Sequence, residues 1–125
     1  MKKIYIAGPY SSVNGETGED ANTLVAAEVA AQYFKLGWAV FCPHTMTQMI
    51  DRKFNRDPQD IHWEDWLASD IAWILCCDAI HMLPGWQTSK GASTEYLVAK
   101  GAGLKIYMGG QGIALPYSAD GASRI

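Results

Sequence analysis

Short apolar runs alternate along this chain with longer segments of helical periodicity. Residues 3–7, 38–42, 79–83 and 104–108 read as strands, each too short for a helix and bounded by Gly, Pro or polar residues. Residues 20–36 set Leu24, Val25, Val29, Tyr33 and Leu36 at helical spacing, with Asp20 available as a cap and Gly37 as a stop. Residues 60–76 and 91–102 read as two further helices. Gly8-Pro9 must turn, and residues 11–19, polar with Gly15 and Gly18, read as a mobile loop. Residues 44–57 are ambiguous, with a short helix around 46–52, and the tail from Gly109 shows no clear pattern.

Strands that alternate with helices imply an α/β fold, a parallel sheet covered by helices on both faces. Ligands in such sheets bind beyond the carboxyl ends of the strands, near the switch in strand order. The loops to watch therefore contain Gly8-Pro9-Tyr10, Pro43-His44 and residues 84–91. With 125 residues, a single domain over 1–125 is expected, with 109–125 as an irregular tail.

Two carboxylates break the helical pattern. On a wheel of residues 60–76, Trp63, Trp66, Leu67, Ile71, Trp73 and Ile74 share one arc, and Asp70 lies in its middle. Asp65 and Ser69 fall on the opposite, solvent-suited face. Glu95 sits one turn into the following helix, with Gly91, Val98, Ala99 and Ala102 as neighbours. Each residue has a plain structural role open to it. Asp70 could accept backbone N–H groups, and Glu95 could cap or pair with Lys90 or Lys100. Two poorly solvated carboxylates on helices flanking one strand point instead to chemistry. At a sugar anomeric carbon one attacks while the other protonates the leaving group. A desolvated Asp70 with a raised pKa suits the acid, and an ionised Glu95 at a helix N-terminal turn suits the nucleophile.

Composition narrows the partners. A net charge of −3 offers no basic surface for a nucleic acid polymer or an acidic membrane. No run approaches the roughly 18 apolar residues of a membrane span, and the first apolar run is too short for a signal peptide. Cys42, Cys76 and Cys77 lie in apolar segments without a C-x-x-C pair, which implies buried reduced thiols and a cytoplasmic protein. The three His residues lack metal spacing, so no metal site is expected. Trp63, Trp66 and Trp73 suit the core or a subunit interface. His44 stands at the right sheet edge for a ligand but equally fits an incidental loop residue. Gly109-Gly110-Gln111-Gly112 lacks the third glycine and the following helix of a dinucleotide fingerprint. Ser11 and Ser12 could contact phosphate.

The segments Ile4-Tyr5-Ile6-Ala7-Gly8-Pro9-Tyr10, Asp70, residues 77–86 and Ser89-Lys90-Gly91-Ala92-Ser93-Thr94-Glu95 together resemble the nucleoside 2-deoxyribosyltransferase-like superfamily. The likeness covers roughly residues 3–108 and is nearest to a small bacterial and phage branch. It implies a flavodoxin-like three-layer sandwich that needs no cofactor. It also implies Glu95 as the nucleophile that takes the sugar C1′, Asp70 as the group that protonates the base, and Gly8, Pro9 and Tyr10 as base-pocket residues. Members often complete the site with a neighbouring subunit's C-terminal residues, which implies a homodimer or higher homo-oligomer.

One departure stands out. Deoxyribosyltransferases usually carry an Asp six residues before the nucleophile, where this chain has Ser89. The related 2′-deoxynucleoside 5′-monophosphate N-hydrolases carry a Ser there that contacts phosphate. Ser89 with Lys90 and the Gly91 amide could hold an anion, or Ser89 could simply cap the helix. Trp86 could stack on a nucleobase or cover the core edge. The expected function is cleavage or transfer of the N-glycosidic bond of a (deoxy)nucleoside or its 5′-monophosphate. The alternative is a non-catalytic protein that binds or sequesters nucleotides.

Overall fold

The computed structural model describes residues 1–10, 16–54, 62–109 and 117–118. Strands β1 (Lys3–Ala7), β2 (Ala39–Phe41), β3 (Ala79–Met82) and β4 (Lys105–Met108) are parallel, and β5 (Tyr117–Ser118) runs antiparallel to β4. Their order is β2-β1-β3-β4-β5, the flavodoxin-like order, with its switch point between β1 and β3. Helices α1 (Glu16–Lys35), α2 (Pro43–Phe54), α3 (Trp63–Ile74) and α4 (Lys90–Gly101) connect the strands.

The period of two along each strand divides the core. Ile4, Ile6, Ala79 and Leu83 face α1, where they pack with Ala26, Val29, Tyr33 and Trp38. Tyr5, Ala7, Ile80 and Met82 face the other way, against Ile74 of α3 and Ala92 and Ala99 of α4. Both faces are apolar, which is why these strands read as continuous hydrophobic runs.

Several element ends differ from the sequence pattern. The helix expected from Asp20 begins at Glu16, so part of the expected loop 11–19 is helical; the rest of that loop lies outside the described residues. The ambiguous segment after β2 is helical as far as Phe54, in a helix that starts on Pro43, whose fixed φ suits a first helical position; residues 55–57 lie outside the described residues. Helix α3 starts at Trp63, where Asp65 Oδ2 accepts from the His62 backbone N–H at 3.0 Å. Asp65 is therefore a cap as well as a surface residue. The last strand, Tyr117–Ser118, falls in the tail for which no pattern was expected.

Two expectations about side chains need correction. Of the three thiols only Cys42 is buried. Cys76, just past α3, is exposed and its Sγ turns back to the Ala72 carbonyl. Trp63 and Trp73, expected in a core or interface, are 41% and 47% exposed and so lie outside the core of this chain: Trp63 is the first residue of α3, Trp73 stands at the margin of the apolar arc, and Ile74 is the arc's buried member.

Candidate active site

Three elements meet beneath the carboxyl ends of β1 and β3. Tyr5 points from β1 toward α4 and donates its hydroxyl hydrogen bond to Glu95 Oε2. Glu95 is 6% exposed, so neither Lys90 nor Lys100 neutralises it. Lys90 lies 4.5 Å over the Trp63 ring, and Lys100 5.8 Å from the Tyr96 ring. Asp70 reaches the same place from α3, and its carboxyl interacts with both Glu95 and Tyr5. Its Oδ1 is buried and has no hydrogen-bond partner among the described residues.

Burial sets the protonation of this trio. Desolvation pushes both carboxyls above the ordinary carboxylate range, and Asp70 adds to the effect at Glu95 while the Tyr5 hydroxyl opposes it. Glu95, buried, and Asp70, half-buried, titrate as an interacting pair, and both favour the protonated form more than a solvated carboxyl does. Glu95 was expected to be ionised by its helix terminus. It lies in the second turn of α4, beyond the reach of the terminal dipole, and its burial wins. Burial also raises the Tyr5 phenol well above its usual value, so Tyr5 stays a donor.

The Gly-Pro-Tyr turn follows the carboxyl end of β1. Gly8 leaves no room for a side chain, since a Cβ there would meet Leu83 Cβ at 2.7 Å, where β1 and β3 are still joined through the Leu83 amide to Ala7 at 2.8 Å. Pro9 lies against the turn at Gly85, whose φ of 86° only glycine adopts without strain. The Pro9 carbonyl accepts from His44 Nε2 at 2.9 Å, and the Tyr10 ring meets His44 edge-on at 5.7 Å. His44 is 3% exposed, and its Nδ1 has no partner among the described residues. Burial lowers its pKa, so it is a neutral imidazole with one open acceptor. It is far more embedded than a loop histidine would be.

The remaining expected residues are spread along the path into α4. Ser89 caps the helix, its Oγ accepting from the Ala92 N–H at 3.2 Å. Gly91 lies under Trp63, with the indole Nε1 3.8 Å from where a Cβ would be. Trp86 packs against Tyr96 with ring centroids 4.6 Å apart and lies against the second core, which favours the core-edge reading over an open stacking platform. Asp70 and Glu95 are thus brought together, the Gly8-Pro9-Tyr10 turn gathers around His44, and Ser89 and Trp86 serve local structure. Tyr5 is the partner the sequence pattern did not single out. Its only signal was one polar-tipped ring in an otherwise aliphatic strand.

Among the described residues, no group of three or more His, Cys, Asp or Glu side chains is placed to hold a metal ion, and no helix is long and apolar enough to cross a membrane. A shallow hollow beside Lys2, Leu36, Gly37 and Trp38 opens at the amino ends of the strands, away from the carboxyls.

This arrangement of strands and helices is that of a nucleoside 2-deoxyribosyltransferase-like fold. It is similar to a 2-desoxiribosyltransferase from Leishmania mexicana (TM-score 0.56, 20% identity, 86% of this chain and 63% of that one). It is also similar to a 2-deoxyribosyltransferase from the psychrotolerant bacterium Bacillus psychrosaccharolyticus (TM-score 0.57, 16% identity, 85% of this chain and 70% of that one). The chain belongs to the family described as Domain of unknown function (DUF4406), whose model matches residues 2–108. A 39-residue stretch, 31% of the chain, is 46% identical to an uncharacterized ORF2 protein and an ORF3 protein of Torque teno tupaia virus. The chain spans 66% and 18% of the lengths of those two proteins.

Proposed function

We propose that this protein cleaves or transfers the N-glycosidic bond of a nucleoside or nucleoside 5′-monophosphate through Glu95 as nucleophile and Asp70 as acid. The observation that carries the reading is the meeting of Tyr5, Asp70 and Glu95, from three separate elements, at one place. In the ligand-free protein burial favours the proton on Glu95, and the reaction uses the form in which that proton has passed to Asp70, leaving Glu95 a carboxylate steadied by the Tyr5 hydroxyl. Its free oxygen attacks C1′, the C1′–N bond breaks, and the electron pair leaves with the base nitrogen, which takes the proton from Asp70. The glycosyl ester on Glu95 is then attacked at C1′ by water or by a second base, whose proton returns to Asp70. The unpartnered Oδ1 of Asp70 is the oxygen with capacity for the base.

Gly8, Pro9, Tyr10 and the open Nδ1 of His44 lie at the carboxyl edge, where a base or sugar would rest. Ser89 keeps a hydroxyl proton to offer even while it caps α4, and with Gly91 it would receive a 5′-phosphate. Incubation with a panel of nucleosides and 5′-monophosphates, followed by chromatography for free base, tests the reading. Release of base that depends on Glu95 supports it. Saturable nucleotide binding without any base release would make the protein a binder or sequestering agent.

A further inference from the structure

We propose that Trp73 and Phe41 form a positioning strut that holds α3, and with it Asp70, at its working distance from Tyr5 and Glu95. The inference rests on the glycosyl-transfer reading of that site. Tyr5 and Phe41 are register partners on adjacent strands, and their rings stack 5.5 Å apart at 19°. Phe41 stacks in turn on Trp73, 4.4 Å away and again at 19°. Three nearly parallel rings thus run from the strand that carries the phenol to the helix that carries the second carboxyl.

Trp73 follows Asp70 by three residues, so the two share one side of α3. The helix leans on α4 and touches the strands at few places, and Ile74 is its wholly buried residue. One aliphatic anchor lets a helix roll. A flat ring stacked on a strand-borne ring fixes both its height and its roll. Trp73 is 47% exposed and forgoes much of the burial a Trp can provide, so its contribution to bulk stability is modest. Its leverage on Asp70, one turn away, is large.

The titratable groups that bear on Asp70 are Glu95 from α4 and Tyr5 from β1, and those on Glu95 are Tyr5 and Asp70. When α3 moves away, Glu95 loses the neighbour that raises its titration, so its midpoint falls. At Asp70 the gain of water lowers the midpoint while loss of the hydrogen bonds from Glu95 and Tyr5 opposes it, and hydration, the larger effect, sets the direction down.

The test follows the Asp and Glu carboxyls by ¹³C NMR titration of the ligand-free protein, with base-release kinetics alongside. In Trp73→Ala the midpoints of Asp70 and Glu95 should both fall, Asp70 by about one unit. The kcat for base release should drop about ten- to a hundredfold, with KM changed far less. Trp73→Phe keeps a stacking ring and should restore both midpoints. Should Trp73→Ala fail to fold, Phe41→Leu, which removes the middle ring, should shift the midpoints in the same direction. Midpoints unchanged from the wild type in a folded Trp73→Ala or Phe41→Leu variant would overturn the strut, whatever happens to Tm. The titration needs no substrate. Shifted midpoints in a protein that releases no base would retain the strut and remove the glycosyl reading.

Discussion

Each face of the sheet buries a tyrosine hydroxyl against a titratable partner, and the two clusters end differently. On the α1 face, the Tyr33 hydroxyl bonds to His81 Nδ1 at 2.7 Å, and His81 Nε2 donates to the Gly109 carbonyl at 2.9 Å. Both ring nitrogens are occupied, Trp38 and Tyr107 close around Tyr33, and burial pushes the imidazole pKa down to about 4. On the α3/α4 face, Tyr5 meets two carboxyls, and an oxygen of Asp70 is left over. The first cluster is closed, with a neutral group and every bond made within the fold. The second carries an uncommitted acceptor and a proton that either carboxyl can hold. A satisfied network specifies a core, whereas an unsatisfied one has capacity for something that arrives.

Substitutions at the open cluster should abolish chemistry and spare the fold. Glu95→Ala should lower base release by several orders of magnitude, because the remaining carboxyl, Asp70, comes from another helix and serves as the acid. Unaltered turnover by chromatography would end the proposed mechanism. Asp70→Asn should cost about 10²–10⁴ in kcat with natural bases and much less with a leaving group that departs without a proton. Equal losses for both substrates would make Asp70 structural, like the closed cluster.

Substitution at the closed cluster should do the reverse. Tyr33→Phe leaves His81 Nδ1 buried without its donor and should reduce stability by about 1–3 kcal/mol in urea, with kcat unchanged. A fall in kcat would mean the two faces are coupled.

The pH dependence of stability sharpens the contrast. Both carboxyls have folded-state pKa values above their unfolded values, so their contribution is greatest at low pH. It is lost as pH rises from the ordinary carboxylate range through the raised folded values. Glu95→Gln keeps an acceptor for Tyr5 and should flatten this slope, stabilising the protein above that window by about 1–3 kcal/mol. An unchanged slope would show that Glu95 titrates as a solvated group.

The smallest expected effect is at the α4 cap. Ser89→Ala should reduce stability by about 0.5–2 kcal/mol through the lost Ala92 bond. If Ser89 also meets a 5′-phosphate, the preference for monophosphates over nucleosides should fall about tenfold by calorimetry. A stability loss with affinities unchanged would leave Ser89 as a cap alone.

Periodicity and punctuation were enough for the alternation of strands and helices. Gly8-Pro9, Gly37 and Pro84-Gly85 mark ends that the chain obeys locally. Asp70 and Glu95 stood out because a carboxylate on an apolar helix face is costly wherever the helix packs. Element ends were less legible. The extra turn of α1 depends on modest differences between loop and helix that no single residue announces, and Pro43, which closes one element and opens the next, fits a loop as well as a first helical position.

What only the tertiary structure decided is which groups share a space. Tyr5 and Glu95 are 90 residues apart in the chain, and the sheet order puts β1 beside β3, under α4. Whether Glu95 is charged was likewise undecidable locally. Its place near a helix start argued for ionisation, and burial beside Asp70 argues against it and wins. His44 and His81 were alike only in lacking metal spacing. One is locked between Tyr33 and Gly109, and the other keeps an open nitrogen at the carboxyl edge. Sequence periodicity fixes which side of an element a residue occupies. Solvation and partners depend on what the fold places opposite, and those determine the chemistry.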